Sequence, residues 1–474
     1  MFGLRLQPAL ALLIPAFVLL ATPAAARQAD TLRLSLPDVV TGSLDVSPEV
    51  DEVEAQREYS EARYDLARAS RFFTEFQLTT AHALAPGIDN PNNTPTDRLY
   101  LDPDVRNEWG ALRMFNQVEA SILQPIYTWG ELSQSVAAAR SGVAVDRAAR
   151  DEKAAEVALR AGELYVDLQL ADALERLTAE AGEIVQRAKR EITRLLEAGT
   201  ENVDDADLFQ VMITEQTFNR RVTEVNERLA TARAAVRRQL FLPDETTIGA
   251  TSTLERIPFA VDSLETYQRL ALRHRPILRR VASGREARSA LLRVERSKLY
   301  PRLVLGARFR VAATPGRYRQ PNPYINDDLR GQSAQVGIGI RQNLNVFQTR
   351  SRIRQAAAQL DQVEFQQDAA RQFVLFEVEQ AWRDVTITRA AVDAQDNALR
   401  ISREWLQTEQ INFDLDIGDT ENLVDAVRMN LELQAEMHRA VRDYNVALLR
   451  LLHASGILIE SVQNGTLVGA SGVE

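Results

Sequence analysis

The chain has 474 residues, enough for two or three domains or for one extended architecture. Its formal net charge of −10 argues against nucleic-acid binding, which needs clustered Lys and Arg. Hydrophobic residues make up 45% but aromatics only 6%, a balance that favours helix and coiled coil, and the lack of any Cys excludes disulfides, thiolate metal sites, cysteine nucleophiles and lipid attachment through a cysteine.

In chain order, residues 1–26 read as a secretory signal: Arg5, an apolar run from Pro8 to Leu20, and Ala24-Ala25-Ala26 as a small-residue cleavage site. Pro15 interrupts the run, which falls short of the roughly 20 apolar residues of a spanning helix. Cleavage removes only Arg5 among the charged residues, taking the net charge from −10 to −11. Residues 27–47 are set apart as an N-terminal extension. No later stretch approaches a transmembrane helix, which leaves a periplasmic protein, a secreted one, or one inserted as β-strands.

From Pro48 the chain reads as a duplication. Pro48-Glu49-Val50 through Phe72 lies over Pro276-Ile277-Leu278 through Tyr300 at a shift of 228, which puts Arg57-Glu58 on Arg285-Glu286. Gln124 matches Gln342 at 218, and Thr200-Glu201-Asn202-Val203 matches Thr420-Glu421-Asn422-Leu423 at 220. Shared composition yields scattered Ala and Arg matches, but not Thr-Glu-Asn followed by Asp-Ala in both halves. The expected divisions are a first repeat over 48–242, an inter-repeat linker over 243–263, a second repeat over 264–456 and a C-terminal tail over 457–474, of which Ser461 to Glu474 reads as disordered.

Each repeat reads helix, strand, loop, strand, long helix, tight turn, long helix. Phe76 and Leu78 alternate with Glu75, Gln77 and Thr79; Val118, Ala120 and Ile122 with Gln117, Glu119 and Ser121. The second copy repeats this with Leu303, Leu305, Ala307 and Phe309 against Arg302, Arg308 and Arg310, and with Val336, Ile338 and Ile340 against Gln335 and Arg341. Period two with one apolar face suits a strand between lipid and water, and equally an ordinary half-buried strand. Residues 85–110 and 314–332, rich in Pro, Gly and Asn, read as exposed loops. Glu131 to Leu196 contains no Pro and predicts a nearly continuous helix of roughly 100 Å. Heptad steps run through Leu174, Leu177, Ala181 and Ile184, and through Ile387, Ala391 and Ala394; the returning helix carries Val211, Phe218 and Val222 with Glu215 as a polar intruder. Four strands cannot close a barrel and open edges are excluded from lipid, so the chain must lend its strands to a shared barrel, twelve strands in three copies.

The second copy resembles the TolC-like outer-membrane efflux proteins in His274-Arg275-Pro276-Ile277-Leu278, in Tyr300-Pro301-Arg302-Leu303, and in Gly418 followed by Asn422-Leu423-Val424-Asp425-Ala426. The resemblance extends from about Pro48 to Gly456. It implies a mainly α fold with a membrane β-barrel portion: a homotrimer whose twelve-stranded barrel sits in the outer membrane lipid and continues as a periplasmic α-helical barrel. It also implies the function of an exit duct in tripartite efflux or type I secretion, with a periplasmic adaptor (membrane fusion) protein and an inner-membrane transporter as partners, and no cofactor. The first copy departs from the pattern, with Phe73 where the second has Pro301.

Carboxylates crowd the two helical turns: Glu197, Glu201, Asp204, Asp205 and Asp207 in the first, Asp414, Asp416, Asp419, Glu421 and Asp425 in the second. Threefold repetition would make acidic rings that favour cations and form a gate, with Asp425 carried over from the resemblance. Helix capping accounts equally for Asp204, Asp205, Thr420 and Glu421. Arg302, Arg308, Arg310 and Arg341 are expected to face the barrel lumen, paired in part with Glu75 and Glu119, while Tyr127, Trp129 and Phe347 mark the membrane boundary. The four histidines, His82, His274, His438 and His453, lack metal-ligand spacing, and no catalytic motif is present. The rival reading is a periplasmic coiled-coil adaptor or structural protein of an envelope-spanning complex, which would show one helical hairpin between split β-domains.

Overall fold

The two periodicities become two kinds of element joined end to end. The computed structural model describes residues 31–72, 75–95, 102–198, 205–319, 326–415 and 420–465, so the expected signal sequence lies outside the described residues, as does the last part of the tail. Short β1 (Leu32–Leu34) and α1 (Leu36–Asp45) precede the first unit: α2 (Pro48–Ala69), β2 (Glu75–Asp89), β3 (Arg106–Tyr127), α3 (Glu131–Glu197) and α4 (Asp205–Gln239). After β4 (Ile248–Ala250) and α5 (Leu264–His274) the second unit follows: α6 (Pro276–Ser297), β5 (Arg302–Ala313), β6 (Gly331–Arg341), α7 (Val346–Asp414) and α8 (Thr420–Ala454), then α9 (Leu458–Gln463).

Element lengths repeat with the sequence. α2 and α6 have 22 residues each, α4 and α8 have 35 each, and α3 and α7 have 67 and 69. The long helices extend roughly 100 Å at 1.5 Å per residue. No described helix is long and apolar enough to cross a membrane. The shift of 228 reaches further back than Pro48: Ser35 caps α1 by accepting from the Asp38 amide, and Ser263, 228 residues on, caps α5 by accepting from Thr266. The stretch read as an N-terminal extension thus holds the counterpart of α5.

β2, β3, β5 and β6 form one antiparallel sheet in that order, leaving β2 and β6 as its edges. The 15 residues of β2 and 22 of β3 exceed the 12 and 11 of β5 and β6, because the first hairpin climbs beyond the second past an irregularity at Pro86/Gly87. The two ends of the 85–110 segment read as loop, 85–89 and 106–110, are therefore strand; Pro86 and Gly87 make the irregularity rather than ending the ladder.

The core gathers where the helices are crossed by the β1–β4 pair, far from the sheet. Val39, Leu168, Ile248, Tyr267, Val378, Tyr444 and Leu448 are among its members. The linker between the units is strapped across it. Asn445 accepts from the Ile257 amide at 3.0 Å and donates to the Glu255 carbonyl at 2.9 Å, Gln169 donates to the carbonyls of Ser252 and Thr253, and the Trp382 indole donates to the Asp262 carbonyl at 3.0 Å. Each strap satisfies backbone groups that the linker cannot pair within itself.

Candidate functional site: the polar sheet face and the helical turns

Strand parity puts every expected lumen residue on one face of one sheet. Glu119 lies opposite Arg310, Ser121 opposite Arg308, and Arg302 opposite Arg341, while Glu75 shares the face through its partner Leu123. The other face carries Phe76, Leu78, Val118, Phe309, Val336, Ile338 and Ile340, all exposed, with Ile340 at 76%. An exposed apolar band of that width is costly in water and is the surface a β-sheet turns toward lipid.

The arginines are mostly neutralised. Arg302 pairs with Glu131 in the first turn of α3 at 2.6 Å, Arg308 with Glu119 at 3.3 Å, and Arg310 donates to Gln117 at 3.0 Å and to the Asp328 carbonyl at 2.9 Å. Like charges directly opposite one another destabilise a ladder, and Glu131 relieves this for the Arg302–Arg341 pair. Arg341 is exposed on the β6 edge. Glu75 forms no ion pair with an arginine among the described residues: it sits on the other edge, with β3 between it and β5. At the aromatic boundary Trp129 stacks on Tyr300 at 5.0 Å and donates to the Pro301 carbonyl at 2.8 Å, with Tyr127 edge-on to it. Phe347 makes no such stack among the described residues and is 84% exposed.

Of the turn carboxylates, Glu201, Asp204, Asp416 and Asp419 lie outside the described residues. Asp414 ends α7, Asp205 opens α4 in an exposed position and Glu421 is exposed in the first turn of α8. Asp425 pairs with Arg428, one helical turn on, at 2.9 Å, so part of its charge is compensated within its own helix. Glu215, the polar intruder of the heptads, joins α4 to α3 by accepting from Lys189 at 2.7 Å and Gln186 at 2.8 Å; the Lys189 bond holds its carboxyl below the usual range. No group of three or more His, Asp or Glu suited to a metal occurs among the described residues.

Sequence reasoning missed two sites. Arg275, 8% exposed, bonds Glu377 of α7 and donates to the carbonyl of His453 at the end of α8 at 3.1 Å. Burial pushes the Glu377 carboxyl up against the opposing pull of Arg275, and burial together with Arg275 pushes His453 down to about 4. Gly456 closes the cluster at φ +79°, where an added Cβ would stand 2.9 Å from the Arg275 nitrogen and the His274 carbonyl carbon. Arg275 belongs to the His-Arg-Pro motif, but its partners lie 102 and 178 residues away. Arg317, 5% exposed, ties the two hairpins' outer ends together through Asp327 at 2.8 Å, Asn107 at 2.9 Å and the carbonyls of Pro86 and Gly87.

A four-stranded slab with one wet face and one apolar face, continued by two helical hairpins, defines the fold of a TolC-like channel protomer. In sequence, residues 268–456 match the family described as outer membrane efflux protein, which spans most of α5 through α8. Among curated proteins none matches the chain in sequence. In fold it is similar to the outer-membrane channel OprN (16% identity over 89% of each chain, TM-score 0.69). It is similar also to the CmeC outer membrane channel of Campylobacter jejuni (13% identity over 95% of this chain and 94% of that one, TM-score 0.70) and to VceC of Vibrio cholerae (14%, 89% and 96%, TM-score 0.68). The family pattern thus covers the second unit, and the fold over about nine tenths of the chain is similar to that of the outer-membrane channels OprN and VceC.

Proposed function

We propose that the chain is one third of an outer-membrane exit duct, a passive conduit for substrates delivered by an inner-membrane transporter through a periplasmic adaptor in tripartite efflux or type I secretion. One observation carries this reading: the sheet leaves both edge strands unpaired while exposing an apolar band on one face. Such an edge is tolerated in lipid only when another chain completes it. The helices follow the same plan, since α3 packs against both α6 and α8 of the second unit, whereas among the described residues α7 at one side and α2 and α4 at the other have no comparably broad contact across the units. Three copies would close twelve strands and twelve helices. The polar face would then line the lumen, and the acidic turns would narrow the periplasmic entrance.

Extraction from outer membranes should require detergent, and the extracted protein should have three times the mass of the chain and conduct ions in planar bilayers. A water-soluble monomer would refute the reading and favour the adaptor.

A further inference from the structure

The duplication supplies a template for the junction between copies. Within the chain, the first unit meets the second at β3–β5, with Leu123 opposite Gly306, Ser121 opposite Arg308 and Glu119 opposite Arg310. Just above that junction Trp129 stacks on Tyr300. In a closed ring the second unit of one copy meets the first unit of the next at β6–β2, so the same elements meet in the same order.

Two hydrogen bonds fix which residues correspond. Gln124 donates to the carbonyl of Arg71 at 2.8 Å, and Gln342 donates to the carbonyl of Leu299 at 3.3 Å. Gln124 therefore corresponds to Gln342 and Leu123 to Arg341. The partners of those two residues across their own hairpins are Glu75 and Arg302, which correspond in turn. Gly306, four residues after Arg302, then corresponds to Thr79, four after Glu75.

We infer that β6 of one copy pairs with β2 of the next in the register of the internal junction: Arg341 opposite Thr79, Gly339 opposite Ala81 and Gly337 opposite Ala83, with Phe347 stacked on Phe72. This rests on the proposed ring of like copies and names its contacts. The aromatic pair supports it independently. Phe347 corresponds to Trp129 by the shift of 218 and Phe72 to Tyr300 by the shift of 228, and the two are 84% and 74% exposed in the single chain. Two bare rings at the positions that are stacked in the internal junction are what an unfilled copy of that junction would leave. The register also assigns the lumen its charge pattern. Glu119, Arg308 and Arg310 of the internal junction correspond to Gly337, Ala81 and Ala83, so the Glu119–arginine charges recur only at the three internal junctions, while each seam carries Arg341 and otherwise the small residues Gly337, Gly339, Ala81 and Ala83.

The absence of native Cys makes the test direct. Directly opposite residues of an antiparallel pair lie about 4.5–5.5 Å apart at Cα, within disulfide reach, whereas diagonal neighbours lie at about 7–8 Å. Ala83→Cys with Gly337→Cys, oxidised in native membranes with copper phenanthroline, should give a covalent trimer on a non-reducing gel. Glu75→Cys with Gly337→Cys, the pair level with each other across the single sheet, should not. Within one chain Ala83 and Gly337 are separated by three strand spacings sideways, about 14 Å, and also lengthwise, since Glu75 and not Ala83 is level with Gly337, so no internal link competes. Phe72→Ala and Phe347→Ala should each lower the temperature at which the trimer dissociates, and the double variant should fall no further than the weaker single. A trimer by mass that links through 75–337, or not through 83–337, overturns the register while leaving the channel reading intact. A monomer by mass overturns both.

Discussion

Replacing Arg275 with Met tests whether the buried cluster anchors the second unit. The guanidinium is 8% exposed and serves Glu377 and the His453 carbonyl together. Without it the Glu377 carboxylate, 29% exposed, stays in a half-buried site with no cation. Breaking one side of such a pair costs about 3–5 kcal/mol, and the water still reaching Glu377 favours the lower end, about 3 kcal/mol at pH 7.5. Protonation relieves part of this. The Glu377 carboxyl already has a raised pKa, and removal of Arg275, which opposes that rise, sends it higher. A raised folded-state pKa means that stability is full below the unfolded value of 4.5 and is lost as pH climbs through the folded value, so the variant's deficit should be smallest at pH 5 and largest at pH 7.5. The assay is the unfolding midpoint by far-ultraviolet circular dichroism in detergent for Arg275→Met, Glu377→Gln and the double variant at both pH values. The double variant should recover most of the loss. A single variant within about 1 kcal/mol of the parent at pH 7.5 would refute the reasoning, as would a double variant whose loss equals the sum of the singles.

Gly456→Ala should cost at least about 1–2 kcal/mol, since it combines a left-handed φ with a Cβ pressed on the Arg275 backbone, and a drop in the unfolding midpoint checks it. His453, depressed to about 4 from 6.5, binds a proton in the unfolded chain before the folded one, so it should erode stability as pH falls from 6.5 to 4, by about 1.4 kcal/mol per unit. Glu377 acts in the opposite sense, so the slope is best read in a Glu377→Gln background, where His453→Asn should flatten it. Asp425→Ala, which breaks only an exposed pair with Arg428, should change stability by about 0.2–0.5 kcal/mol at most; combined with Asp416→Ala and Asp419→Ala it should reduce cation preference in single-channel recordings, and unchanged selectivity would leave these residues as caps. Arg317→Met, which strands Asp327 and two carbonyls, should speed hydrogen exchange at residues 84–89 without shifting the global midpoint by more than about 3 kcal/mol.

What the sequence determined by itself was periodic and local. Alternation along Arg302–Val311 places Arg308 and Arg310 on the face opposite Leu305 and Phe309 because the pleat has a period of two, and heptads foretell α3 and α7 because helix geometry is set within a few residues. The duplication was legible for the same reason, as a local pattern written twice. The capping pattern Ser35-Leu36-Pro37-Asp38 was equally local and marked the start of α1, although the reading began the first repeat at Pro48. Tertiary structure alone decided which strand lies beside which. That choice gave Glu119 to Arg308, left Glu75 on the far edge, and turned the Pro86–Gly87 stretch into a bulge instead of a loop. It also brought Glu377 and His453 to Arg275 across separations of 102 and 178 residues. No short-range pattern encodes such a meeting, because it depends on where two long helices return to the same core and on the burial they share there.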